Sequence, residues 1–175
     1  MILMSILAIA ACGGDNKKTA AKPKVIEDDS PVTAKPAPPP EPPPPPKSWH
    51  AQAELTPFKG VKFKAATVTF MQEEGSPTAI GSTGWFDGIK AGSYYLVVHE
   101  GTECGPNATK VGKPMTGGEV AFAVAKGASS LDVAPVASIH LDGDATVVGH
   151  ALVLHEDKKG KPGKALACGP ISAQP

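Results

Sequence analysis

From Ser48 onward, apolar residues come in short runs separated by turn-forming residues, and no stretch carries a helical stripe. The pattern predicts strands at Ala65–Met71, Tyr94–His99, Val120–Ala125 and Val147–His155, with Gly75-Ser76-Pro77 breaking the first of them. Gly84, Gly88, Gly92, Gly143 and Gly149 punctuate the region. Short strands with glycine turns between them predict an all-β antiparallel sandwich or barrel spanning 48–175.

Side chains alternate across a strand, so the sequence also assigns faces. Tyr94, Leu96 and Val98 share one face of their strand, and Tyr95, Val97 and His99 the other. Leu152 and Leu154 likewise oppose Ala151, Val153 and His155. The Leu/Val faces are expected to point into the barrel. That leaves His99 and His155 on outer faces, with loops needed to cover the neighbouring valines.

The N-terminal part reads differently. Residues 1–11 (MILMSILAIAA) form an apolar run ending in small residues, as in the core and cleavage site of an export signal, although no lysine or arginine precedes it. Ile9-Ala10-Ala11-Cys12 resembles the lipobox of bacterial lipoproteins. The resemblance implies lipidation of Cys12 and a membrane anchor. Gly13 after the cysteine leans towards the outer membrane, facing the periplasm. Residues 12–47 have few large apolar side chains and read as a disordered linker. Its segment 36–46 (PAPPPEPPPPP) is expected to form a polyproline rod of about 30 Å.

Composition narrows the functional classes. The formal net charge is zero, which gives no support to a nucleic-acid partner. All 17 basic residues are lysines, with no arginine. Of three cysteines, Cys12 lies in the signal, and Cys104 and Cys168 remain free to pair.

Two stretches together resemble copper/zinc superoxide dismutase. The first, 84–100 (GWFDGIKAGSYYLVVHE), keeps that family's glycine spacing and Val-His-Glu ending. The second, 141–171 (LDGDATVVGHALVLHEDKKGKPGKALACGPI), is similar to the family's final third. The resemblance implies a Greek-key barrel and a disulfide between Cys104 and Cys168. It also implies copper ligation by His99 and His155.

The departures from the family are as specific. Val97 stands where the first histidine of the family's pair belongs, and Asn107 follows Gly105-Pro106 where its bridging histidine belongs. No histidine lies between Asn107 and Gly118, so no zinc site is expected, and Glu119 is the one remnant of a zinc carboxylate. Ala165 replaces the arginine that guides superoxide, with Lys164 beside it. Met115 is a candidate third, thioether ligand for copper. His50 is expected to be solvated at the linker exit, His140 to lie in the strand preceding 147–155, and His150 to be structural. The lysines at 158, 159, 161 and 164 read as a charged hairpin loop.

Three functions follow: an envelope lipoprotein binding copper through two histidines with little or no dismutase activity, an active copper-dependent superoxide dismutase, or a barrel that serves as a metal-free structural module. The first is the expectation.

Overall fold

The computed structural model describes residues 40–64, 66–82, 86, 88–128 and 130–175. The expectations for the signal, for Cys12 and for the linker up to residue 39 therefore lie outside the described residues, as does Gly84 of the first motif. Pro43–Pro175 forms one compact unit.

That unit is all-β. Eight strands run as β1 (Ser48–Pro57), β2 (Ala66–Glu73), β3 (Thr78–Ser82), β4 (Gly92–His99), β5 (Pro114–Val124), β6 (Asp132–Val136), β7 (Ala151–Asp157) and β8 (Pro162–Gln174). Every pairing is antiparallel, in the order β5-β4-β7-β8-β1-β2-β3-β6, which curls into a nearly closed barrel. The seam falls between β5 and β6. There the Ser138 hydroxyl, just after β6, donates to the Gly117 carbonyl of β5 at 2.7 Å.

Period-two burial builds the interior. Ala51, Ala53 and Leu55 of β1 meet Ala66, Val68 and Phe70 of β2. Tyr94, Leu96 and Val98 of β4 meet Leu152 and Leu154 of β7. One polar link crosses this core. Gln72 Oε1 accepts from the Leu141 amide at 2.7 Å, and the Thr78 hydroxyl donates to the Ile139 carbonyl, which pins 139–141 onto β2 and β3. A second, smaller apolar cluster lies on the outer side of β7 and β8: Val111, Ala151, Val153 and Cys168, with Cys104 and Ala165 at its margin. The face assignment from the sequence is what the structure shows.

Two strand starts differ most from the sequence reading. The last apolar run does not begin a strand at Val147. Val147 and Val148 instead sit in a turn, where the Val147 amide bonds to the His140 carbonyl, and β7 starts at Ala151. β5 begins at Pro114, six residues before the predicted strand, because backbone pairing continues through polar and glycine positions. Strands β1, β3, β6 and β8 complete the barrel. The loop joining β7 and β8 is a tight hairpin, as expected: Lys159 and Gly160 both take left-handed φ (59° and 78°), and Asp157 Oδ1 accepts from the Gly160 amide.

Candidate metal centre

The site is built on the outer face of β4 and β7. In their ladder Tyr95 lies opposite His155, Val97 opposite Val153, and His99 opposite Ala151. The histidines thus flank the Val97–Val153 pair diagonally. Their rings lean together over it, with centroids 6.0 Å apart and planes inclined by 24°.

Each ring is oriented by a backbone carbonyl. The His99 Nδ1–H donates to the Gly112 carbonyl at 3.1 Å, and the His155 Nδ1–H donates to the Gly163 carbonyl at 3.0 Å. A carbonyl can only accept, so Nδ1 carries the proton in both rings and Nε2 carries a lone pair. Both Nε2 atoms are buried and have no hydrogen-bond partner. A buried acceptor left without a partner costs about 1–3 kcal/mol, so this pair is an unrelieved expense in the protein alone. Burial lowers the pKa of His155 below its ordinary 6.5, and the neighbouring His99 adds to the lowering. The Gly163 hydrogen bond and the charge of Glu119 act against it.

The loop from Glu100 to Lys113 holds the first ring in place. The Glu100 amide bonds to the Lys113 carbonyl and the Gly101 amide to the Val111 carbonyl. The Gly101 carbonyl in turn accepts from the Ala151 amide of β7 at 2.7 Å. Val111 is buried against Val153 and Cys168 in the outer cluster, so the same loop covers the valines. The disulfide between Cys104 and Cys168, with Cα atoms 5.7 Å apart, ties this loop to β8.

The other candidates fall around this pair. Glu119 lies opposite Val97 in the β4–β5 ladder, on the histidine face, and is exposed; its charge reaches His155. Among the described residues, no three histidine, cysteine or acidic side chains lie close enough together to hold a metal. Met115 is half-buried against the main core cluster. Asn107 is exposed in a short 3-10 turn, Pro106–Ala108. Ala165 pairs with His155 in the β7–β8 ladder, at the edge of the outer cluster.

Two of the remaining histidines lie outside the strands assigned to them. His150 precedes β7 rather than lying within it, and its Nδ1–H donates to the Glu100 carbonyl at 2.9 Å, bracing the same loop. His140 belongs to no strand; it makes an isolated bridge with Thr146. His50 is solvent-exposed, as expected, and lies near the start of β1, opposite Met71. The anchoring carbonyls of Gly112 and Gly163 had no signal in the sequence, because a backbone acceptor can be contributed by any residue type.

The donor set fits copper(I). Two buried imidazole nitrogens without hydrogen-bond partners suit a soft, low-coordinate cation, whereas copper(II) wants about four N/O donors in a tetragonal array. No family model matches the chain, and no curated protein matches it either.

Proposed function

We propose that this protein is a copper-binding lipoprotein of the bacterial envelope, with a superoxide dismutase-like barrel that holds copper(I) between His99 and His155 and has little or no dismutase activity. The observation that carries the reading is the pair of buried, unpartnered Nε2 atoms on rings whose tautomers are already fixed. A bound ion would relieve two unsatisfied acceptors at once, and the pre-set rings lose little freedom on binding. The antiparallel barrel and the Cys104–Cys168 disulfide agree with what the sequence resemblance implies. The envelope assignment rests on the lipobox-like residues around Cys12 and suits a disulfide-bonded domain.

Copper bound there supplies a one-electron redox couple. The chain's own part is narrower. Gly112 and Gly163 hold the Nδ1 protons, which keeps both Nε2 lone pairs free. Val97, 1 % exposed, and Val153, fully buried, keep water from the floor of the site. Ala165 offers no cation to steer an anion. Fast dismutation asks for an oxidised-state shell of about four donors, and two imidazoles fall short of it.

The test is a copper(I) titration against a chromogenic chelator, paired with a superoxide-consumption assay. One copper(I) per chain, lost in His99→Ala and in His155→Ala, with no turnover above that of the apoprotein, is the expected result. Binding untouched by both substitutions would sink the site. Turnover that disappears in His155→Ala would replace the binding reading with a dismutase.

A further inference from the structure

The outer face of β1, β2 and β3 carries a second arrangement of soft donors, well separated in sequence from the histidine pair. His50 lies directly opposite Met71 in the β1–β2 ladder, and both side chains point outward. Cross-strand neighbours on one face have Cβ atoms about 5 Å apart, so an imidazole nitrogen and a thioether sulfur reach a common point above the sheet. Met71 is 47 % exposed, the exposed large apolar side chain of the described surface.

The strand beyond explains why there is room. Its outward residues, Ala79 and Gly81, pair with Met71 and Thr69 and have almost no side chain to fill the face. A cleft of about 360 Å³ results, lined by His50, Thr69, Met71, Ala79 and Gly81 among others. An exposed methionine on the outer face of this sheet gains nothing from core packing. Beside a histidine, at the lip of a cleft, it completes an N,S donor pair.

We propose that His50 and Met71 form a second, surface site for a soft monovalent cation of the copper(I) or silver(I) class. Imidazole with thioether selects copper(I) over hard cations such as calcium and magnesium, which take oxygen ligands. Two donors with solvent on one side make an exchangeable site, suited to taking up and passing on an ion rather than retaining it. The inference uses no residue of the His99–His155 pair and stands or falls separately from that reading.

The experiment is a silver(I) titration of the protein carrying carbon-13 methionine methyls, followed by NMR. Silver(I) serves as the redox-inert probe. The chain has four methionines, and Met71→Leu identifies the Met71 signal. The expected result is a saturable shift of the Met71 methyl together with the His50 ring protons. The shift weakens at least tenfold in His50→Ala, persists in His155→Ala, and is absent with zinc(II) or calcium at equal concentration. Both residues are exposed, so these substitutions leave the fold intact, which the unshifted methyl of the half-buried Met115 verifies. A Met71 methyl that stays put, or that shifts equally with and without His50, overturns the site.

Discussion

Val97 lies directly opposite Val153 across the β4–β7 ladder, and this valine pair occupies the floor between the two histidine rings. On the proposed copper site, position 97 is therefore where a third donor would be added. Val97→His should add an imidazole between His99 and His155, raising copper affinity at least tenfold and allowing copper(II) to bind with a nitrogen-rich EPR signature. The same change puts a polar ring where a buried valine packed, at a cost of about 1–3 kcal/mol in the apoprotein, read by chemical denaturation. Unchanged affinity in a folded variant would show that the rings do not converge above Val97.

How much of this was legible in the sequence depends on what each feature needs. Alternation in Tyr94–His99 and Leu152–His155 was enough to assign both histidines to the outer face, because period two is a local property. The start of β7 was not legible. Val147 and Val148 look like strand residues, yet Val147 is buried as a loop plug held by the His140 carbonyl. The tautomers of His99 and His155 were also beyond reach. They depend on the Gly112 and Gly163 carbonyls, and main-chain acceptors leave no mark on the sequence.

Stability should depend on pH through His155. Its folded pKa is lowered by burial below the ordinary 6.5 of the unfolded chain. Below pH 6.5 the unfolded state therefore binds a proton that the folded state refuses, and stability falls as the pH drops towards the folded pKa. Above pH 6.5 neither state binds it and this contribution is flat. Denaturant unfolding of the apoprotein between pH 8 and 5 should show the decline, and His155→Gln should remove this part of the slope. Copper(I) competes with the same proton at Nε2, so its apparent affinity should fall over the same window.

Opening the disulfide should act on both the fold and the site. Cys104 and Cys168 are separated by 64 residues, and closing a loop of that size restricts the unfolded chain by about 4 kcal/mol. The native bond also holds the loop whose Gly112 carbonyl orients His99. The Cys104→Ser/Cys168→Ser variant should lose stability of that order. Where it is still folded, its copper(I) affinity should fall as well. Full-strength copper binding in that folded variant would show that the loop keeps its position without the bond.

Two glycines separate the support of the site from the support of the barrel. At Gly101 a Cβ would lie 2.6–2.7 Å from the carbonyl oxygens of Lys110 and Val111, so Gly101→Ala must push the two limbs of the histidine loop apart. At Gly169 a Cβ would collide with the Glu54 carbonyl oxygen, so Gly169→Ala must separate β8 from β1 in the barrel wall. Overpacking of this kind costs about 1–3 kcal/mol, and the Gly169 contact, against strand backbone on a buried face, belongs at or above the upper end. Loop displacement should be cheaper in stability and more damaging to the site, because the Gly112 carbonyl moves with it. Gly101→Ala should thus lose copper(I) affinity with a modest drop in unfolding free energy, whereas Gly169→Ala should show the larger drop and bind normally while folded. Thermal unfolding and copper(I) titration on both variants check this, and the opposite ranking would mean that the loop is not what positions His99.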